Sequence, residues 1–412
     1  MTLQEIKNYI NEYLYLEDTF IIDMLLAIAI GIHTNGEMIW IMIVGGSSTG
    51  KSELIQILGD IPSVFQVSNL TENSFLSGLR PINGKETSLL KRMGPRGVLM
   101  MKDYTSLLSM RNEKKDLIAS QMREIYDGHI VKETGNGYNP EWSGKINFIG
   151  GVTDAIYSAD GESAGMGRRV LFYCMPKKDR KKTLVRALKN ANNADEKRVV
   201  IKEMVKTYVE ELITTLPKTL PPLPDDFNEE LIELADFSTL VRSPTERNFK
   251  GELTLVHEPE MGMRVIHQMI LLAQLLVYMH GELTDEIKNG IRKIAFDNIP
   301  KLRRNALLYL AKYSRITAKG LAQEMNYPTE TAKIWLEDLN ALEVVKRKID
   351  GMTKLDTFEM KREYRELVCK YLNIEYEGYD LLGTDETYDT EAMDQLIVDA
   401  EEKKRQEEFN LF

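Results

Sequence analysis

The stretch MIWIMIVGGSSTGKSELIQIL, from Met38 to Leu58, decides the fold of this chain. Met38–Val44 is a nearly continuous apolar run of strand length, and the apolar spacing of a helix begins at Leu54. The eight residues before Glu53 fit the pattern G-x-x-x-x-G-K-[ST], in the strand-to-helix context that this pattern requires. They are Gly45, Gly46, Ser47, Ser48, Thr49, Gly50, Lys51 and Ser52. The stretch therefore predicts an α/β core with a phosphate-binding loop after its first strand.

The chemistry of these eight residues predicts that the loop binds ATP with Mg²⁺. Glycines let the backbone fold tightly with its N–H groups pointing inward, and the start of a helix adds partial positive charge. Lys51 would reach the β- and γ-phosphates, and the Ser52 hydroxyl would bind Mg²⁺. The alternative is a strand-to-helix turn, rich in glycine and serine, that binds nothing.

Length and composition predict a globular protein of two or three domains. The chain has 412 residues, of which 43% are hydrophobic and 28% are charged. Cys174 and Cys369 form no disulfide framework or metal site, so we expect them in the core of a cytoplasmic protein, from a bacterial or infected host cell. The longest apolar run, Phe20–Ile32, is too short to cross a membrane and contains Asp23, so no membrane partner is expected.

The net charge of −10 lies entirely in the C-terminal segment. Residues 373–412 contain 13 acidic and 3 basic residues, which leaves 50 of each kind for the other 372 residues. An acidic total therefore does not exclude DNA as a partner of the rest of the chain. It predicts only that this acidic, flexible tail does not contact DNA.

A second buried strand is predicted at Val98–Met101, roughly 50 residues after the loop. It closes on Lys102, Asp103 and Tyr104. An apolar run that ends on an acid at this distance is typical of a Walker B strand, whose aspartate holds Mg²⁺. We therefore expect Asp103 near the Mg²⁺ ion or its water.

The next segments are a helix, a hairpin with an Asn-Gly turn, a strand that ends on a polar residue, and a strand preceded by two arginines. They are Leu117–Tyr126, the hairpin around Lys132 to Lys145, Ile146–Val152 followed by Thr153, and Val170–Cys174 preceded by Arg168 and Arg169.

Taken in this order, the segments resemble the core of an AAA+ ATPase. They are similar to the branch with a hairpin before the sensor 1 strand, which includes minichromosome-maintenance-like helicases and their relatives in phages and mobile elements. The resemblance covers Ile39 to about Leu276. It implies a parallel-sheet P-loop core, a helical lid and a ring of identical subunits, expected as a hexamer, with ATP at the subunit interfaces.

The resemblance also implies roles for individual residues. Thr153 takes the sensor 1 position, where a polar group orients the attacking water. Arg169 takes the position of an arginine finger that reaches the γ-phosphate of a neighbouring subunit, and Arg168 is the second choice. Arg264, which opens a helix of the lid, takes the sensor 2 position. The alternative is that these arginines are solvated residues at the ends of strands and helices.

One position departs from the AAA+ pattern. The family usually ends the Walker B strand with Asp-Glu, whose glutamate polarises water, but here the chain reads Lys102, Asp103, Tyr104. Asp103 is then either the metal-side aspartate, with a base supplied elsewhere for which Glu124 is a candidate, or the base itself. The difference bears on hydrolysis and not on nucleotide binding.

The region after Asp297 resembles a winged helix, a variant of the helix-turn-helix. Three predicted helices are followed by two strands that an Asp350-Gly351 turn joins. These segments are Leu302–Ala311, Leu321–Met325, Thr331–Leu342, Val344–Ile349 and Lys354–Phe358. Such domains bind DNA or serve as packing modules. The predicted DNA contacts are Lys333, Lys346, Arg347 and Lys348 here, and Lys132 and Lys145 of the earlier hairpin against single-stranded DNA in the pore.

Five regions follow from these assignments: N-terminal helices (1–36), the AAA+ core (37–176), the helical lid (177–296), the winged helix (297–372) and the acidic tail (373–412). The tail ends in Phe409, Leu411 and Phe412, similar to the short peptides that dock on bacterial sliding clamps. The alternative is that this end folds back on the body.

Together, these features predict an ATP-dependent DNA motor, a helicase or helicase loader, in the replication of a phage or mobile element. Two alternatives stay open. One is an AAA+ remodeller or regulator that acts on protein, for example in phage defence. The other is a nucleotide switch that hydrolyses slowly, which the missing Asp-Glu pair would suit.

Overall fold

The computed structural model describes residues 1–157, 169–350 and 355–383, and the chain divides into two compact units, Met1–Arg304 and Asn305–Phe412. The strands of the first unit are β1 (Trp40–Val44), β2 (Val64–Val67), β3 (Arg96–Met101), β4 (His129–Val131), β5 (Glu141–Ser143), β6 (Lys145–Val152), β7 (Leu171–Cys174), β8 (Thr245–Arg247) and β9 (Leu253–Val256). Its helices are α1 (Leu3–Tyr13), α2 (Phe20–Gly31), α3 (Lys51–Gln56), α4 (Leu89–Met93), α5 (Thr105–Leu108), α6 (Asn112–Tyr126), α7 (Arg180–Asn190), α8 (Ala194–Thr215), α9 (Asp225–Val241), α10 (Met263–His280), α11 (Asp285–Asp297) and the start of α12 (Lys301–Lys312).

A five-stranded parallel sheet, in the order β2-β3-β6-β1-β7, forms the centre of the first unit. Every residue of β1 is buried, and helices cover the sheet, as parallel strands require because both of their faces are apolar. The predicted α/β class with a parallel sheet is confirmed, and so are the apolar runs that became β1, β3, β6 and β7.

The position of β1 in the sheet places the Gly45–Ser52 loop at a switch in the strand order. β1 lies between β6 and β7, and the chain leaves it for β2 at one edge and returns to β7 at the other. The backbone N–H of Gly45 donates to the Val152 carbonyl at 3.1 Å, so the loop begins beside the end of β6. In open parallel sheets, ligands bind outside the carboxyl ends of the strands at such a switch.

The helix α2 explains the long apolar run near the N-terminus. All twelve of its residues are buried, as expected for a helix that is apolar on every side. Its one charged residue, Asp23, accepts a 2.8 Å hydrogen bond from Lys7 of α1, and Glu286 also pairs with that lysine. Within the described part of the chain, no helix is long and apolar enough to cross a bilayer.

The predicted hairpin before the third core strand is confirmed. β4 and β5 pair antiparallel, with Ile130 opposite Trp142. A second hairpin, β8–β9, lies between α9 and α10 and was not predicted from the sequence.

The described residues of the second unit form three further helices and a small antiparallel sheet. The helices are α13 (Ala318–Met325), α14 (Thr329–Ala341) and α15 (Arg362–Leu372), and the strands β10 (Ile316–Thr317), β11 (Val345–Ile349) and β12 (Asp356–Met360) pair in the order β10-β12-β11. Gly351 of the predicted Asp350-Gly351 turn lies outside the described residues. The predicted acidic tail is described only as far as residue 383.

Candidate functional site

Two residues of the Gly45–Ser52 loop adopt the left-handed backbone conformation that occurs in anion-binding nests. Ser48 and Gly50 have left-handed φ values of 62° and 83°, and Ser48 adopts this conformation although it is not glycine. Left-handed residues within a turn direct consecutive N–H groups into one concavity. Among the residues that the structure describes, none accepts a hydrogen bond from the N–H groups of residues 46–52. Within the described residues, the N–H groups of this segment are therefore available to a ligand.

Lys51 lies inside this loop. Its Nζ donates to the carbonyls of Gly45 at 2.6 Å and Gly46 at 2.7 Å, and only 8% of the residue is exposed. Burial lowers the pKa of Lys51, and the nearby charges of Asp103 and Asp154 act against that effect. A phosphate offers a buried ammonium group a stronger acceptor than a neutral carbonyl, so the lysine is placed to exchange one for the other.

The carboxyl ends of β3 and β6 are joined beside the loop. The Tyr104 N–H donates to the Gly151 carbonyl at 2.7 Å, and the Thr153 N–H donates to the Thr105 hydroxyl at 3.2 Å. The same Thr105 hydroxyl donates to the Thr153 hydroxyl at 3.4 Å, and the Thr105 N–H donates to Asp103 at 3.0 Å. Thr105 therefore brings the predicted residues Asp103 and Thr153 together, a role that the sequence alone did not indicate.

The atypical end of β3 has a packing explanation. Tyr104 is 3% exposed and its ring meets Phe148 edge to face at 6.1 Å, so the position after Asp103 belongs to the core. A glutamate there would leave a carboxylate in an apolar environment. The backbone of β6 also packs closely against this end of β3. A Cβ added at Gly151 would lie only 2.4 Å from the Lys102 carbonyl oxygen.

The residues that would hold Mg²⁺ with a bound nucleotide are Ser52 and Asp103, both exposed at the loop. Within the described ranges, no group of three or more His, Cys, Asp and Glu side chains could hold a metal by itself. Mg²⁺ in nucleotide sites needs only one or two protein oxygens, because phosphates and waters supply the rest. The donor set fits such an ion.

The helix α3 is fixed by contacts that the motif does not include. Glu53 accepts a bidentate pair from Arg198 of α8, at 2.9 and 3.0 Å, and a 3.0 Å hydrogen bond from Tyr13. The Arg198 pair holds the loop's helix against α8.

Arg169 lies just before the amino end of β7. The amino ends of the parallel strands form the side of the sheet opposite the Gly45–Ser52 loop, called the amino edge below. Its guanidinium pairs with Asp127 at 2.8 Å and lies 5.7 Å from the Tyr126 ring centre, and its side chain is 11% exposed. β1 alone spans about 13 Å, so Arg169 does not reach the loop of its own chain. Arg168 lies outside the described residues.

Arg264 shares this amino edge. Burial raises the pKa of Tyr126 to about 12, and the nearby charges of Arg264 and Arg169 act in the opposite direction. One turn after Arg264, Gln268 accepts from the Trp40 N–H at 2.8 Å and donates to the Arg169 carbonyl at 2.9 Å. The structure thus brings the two arginines together and places neither at the Gly45–Ser52 loop of the same chain.

Glu124 does not fit the role of hydrolytic base for Asp103. It is exposed near the end of α6, three residues before Asp127, which pairs with Arg169 at the amino edge. The chain enters β6 from that edge, whereas Asp103 follows the carboxyl end of β3. Glu124 and Asp103 therefore lie toward opposite ends of the parallel strands, which the distance between them along the sequence does not reveal.

The hairpin lysines have protein partners. Lys132 donates to the Leu76 carbonyl at 3.0 Å and to the Asn73 side chain. Lys145 lies at the start of β6 and pairs with Glu37 at 3.4 Å. The predicted DNA contact at Lys132 would therefore require breaking the contacts that hold the hairpin against residues 72–76.

The cations of the second unit are mostly paired with acids. Arg347 and Lys348 on β11 pair with Asp356 at 2.5 Å and Glu359 at 2.7 Å on β12. Lys333 and Lys346 are exposed. Acidic side chains on β12 therefore neutralise two of the four predicted DNA-contact cations of this unit. Phe409, Leu411 and Phe412 of the predicted docking peptide lie outside the described residues.

No protein-family model matches this chain, and a search of curated proteins finds no match either.

Proposed function

We propose that this chain is an ATPase of the AAA+ type that binds MgATP in the Gly45–Ser52 loop. The observation that carries the proposal is the loop itself, where Lys51 is buried and the N–H groups of residues 46–52 have no acceptor among the described residues. Lys51 would hold the β- and γ-phosphates, Ser52 and Asp103 would hold Mg²⁺, and Thr153 would orient water. Mg²⁺ neutralises charge on the phosphates when bound.

We further propose that a second copy completes each site. Arg169 and Arg264 lie together at the amino edge and cannot reach their own loop, so they would contact phosphates held by a neighbour. A head-to-tail contact of this kind joins two different surfaces, and it closes into a ring when the rotation allows. The ring, expected as a hexamer, would be the working form.

DNA is the proposed substrate of the motor, with the second unit as a winged-helix DNA contact. The helices α13 and α14 followed by the β11–β12 hairpin support that assignment. The acid partners of Arg347 and Lys348 favour the second candidate, a remodeller of protein, because they reduce the positive charge that DNA binding uses.

Steady-state ATP hydrolysis with different polymers tests the proposal. We expect hydrolysis by the wild type and none by Lys51→Ala, and an increase with single-stranded DNA but not with an unfolded protein such as casein. Stimulation by casein alone would support the remodeller instead. Hydrolysis that no polymer changes would reject the DNA motor and leave the ATPase assignment standing.

A further inference from the structure

The structure contains a second carboxylate beside the Gly45–Ser52 loop, at Asp154. This residue follows Thr153 at the end of β6 and opens a short 3-10 helix, Asp154–Tyr157. β6 is the direct neighbour of β1, with Val152 opposite Val44, so Asp154 emerges closer to the loop's strand than Asp103, which follows β3 one strand further away.

Both carboxylates lie close enough to Lys51 for their charges to act on it. Asp103 and Asp154 each stabilise the charged form of Lys51, whose Nζ is the group placed to meet the terminal phosphates. Asp103 already accepts the Thr105 N–H. The Asp154 carboxylate accepts from Lys301 Nζ at 2.9 Å, and its side chain is 54% exposed. The Asp154 carboxylate is therefore accessible to water.

We propose that Asp154 is the general base of ATP hydrolysis, in the role that the residue after the Walker B aspartate usually has. The inference rests on the proposed nucleotide site. The Asp154 carboxylate accepts a proton from the attacking water as the water oxygen forms a bond to the γ-phosphorus. The bond from that phosphorus to the β–γ bridging oxygen breaks, and its electron pair leaves on ADP. Protonated Asp154 then releases the proton to solvent.

Lys301 is a positioning residue in this scheme. As the first residue of α12, it holds the carboxylate through one ion pair between half-exposed side chains. Such pairs contribute little energy, so the carboxylate can leave Lys301 for a water without a large cost. The neighbouring Arg304 pairs with Asp297, which accepts from the Cys174 N–H at 2.7 Å and so fixes the start of α12 against the end of β7.

The test combines a binding measurement with a rate measurement on Asp154→Asn, which keeps the shape of the side chain. We expect a fluorescent ATP analogue to bind with a Kd within about threefold of the wild type. The single-turnover hydrolysis rate should fall by about 100-fold or more, as expected for loss of a general base. Binding of fluorescent ADP with aluminium fluoride, a transition-state analogue, should weaken.

Two variants separate catalysis from structure. Asp60→Asn is the matched control, because Asp60 forms a 2.9 Å pair with Lys202 at similar exposure and away from the loop; its hydrolysis should be unchanged. Lys301→Met should lose about fivefold or less. An equal loss in Lys301→Met and Asp154→Asn would mean that the ion pair matters and not the base.

Three further outcomes would contradict either the role of Asp154 or the proposed nucleotide site. Hydrolysis by Asp154→Asn at near wild-type rate, or loss of ATP binding together with the rate, would overturn the role of Asp154. If the wild type itself does not bind the ATP analogue, the proposed nucleotide site fails, which is a result distinct from failure of the base.

Discussion

Ser48 and Gly50 are the two residues of the Gly45–Ser52 loop with left-handed backbone conformations. Both have left-handed φ values, which cost little for glycine but about 1–2 kcal/mol for other residues. The motif predicted the glycine at position 50, but it did not predict that a serine would adopt the same region at position 48. Strain of this kind persists where surrounding structure imposes it, and it is common at ligand sites.

Gly50→Ala tests whether the loop geometry serves a ligand. An added Cβ would lie 3.7 Å from Lys178 Nζ, so strain rather than a clash is the expected cost. We expect a loss of about 1–2 kcal/mol in the free energy of unfolding, measured with urea, and a weaker affinity for a fluorescent ATP analogue.

Gly84→Ala is the control for that variant. Gly84 has a φ of 73° and no atom within 4 Å of an added Cβ, so it should lose similar stability and keep the affinity. Equal affinity in both variants would mean that the left-handed conformation at Gly50 has no part in binding.

Single residues were predictable where a local pattern required them and unpredictable where only the fold brings them together. Lys51 and Asp103 followed from motif and spacing. The positions of Asp154 beside the loop and of Glu124 at the amino end of the strands could not be predicted, because the sequence does not reveal at which end of the sheet a residue lies. Thr105 was missed because a threonine after a strand carries no signal of its own.

At the scale of elements, apolar patterns predicted the buried segments well. β1 and α2 are buried along their whole length, so their apolar runs were clear. α6 begins at Asn112, five residues before the predicted start, because its first turns are polar and mostly exposed. β9 was not predicted, since its residues are half-exposed or exposed and alternation requires one buried face.

Lys51 and Arg169 lie at opposite ends of the parallel strands. Mixing variants of the two residues tests whether they act together across a contact between subunits. Every site in a ring of Arg169→Ala lacks the arginine, and every site in a ring of Lys51→Ala lacks the loop lysine. Each protein alone should therefore be inactive. In randomly mixed rings about a quarter of the interfaces would join an intact loop to an intact arginine, and ATPase activity should return.

The control for mixing is Arg169→Ala combined with the double variant Lys51→Ala/Arg169→Ala, which offers no intact pair and should stay inactive. Sedimentation should first show that each variant assembles, since Arg169 also pairs with Asp127. Absence of recovery in assembled mixtures would contradict the shared site.

For the whole molecule, charge separates the parts of the chain more clearly than composition does. The body carries equal numbers of acidic and basic residues, and the segment 373–412 carries the entire net charge. Within the body, ion pairs such as Lys348–Glu359 neutralise the cations expected to meet DNA. Sequence counts predicted neutrality but not this pairing, which depends on strand register.

Buried Lys51 is proposed to exchange its two carbonyl acceptors for phosphate, and calorimetry of MgATP binding tests this exchange most directly. A charge-assisted hydrogen bond is worth about 1.5–3 kcal/mol, so Lys51→Ala should weaken the affinity by about 10- to 100-fold. Lys202→Ala, which removes a surface lysine paired with Asp60, should bind as the wild type does. Equal affinities for the wild type and Lys51→Ala, or no binding by the wild type, would contradict the account.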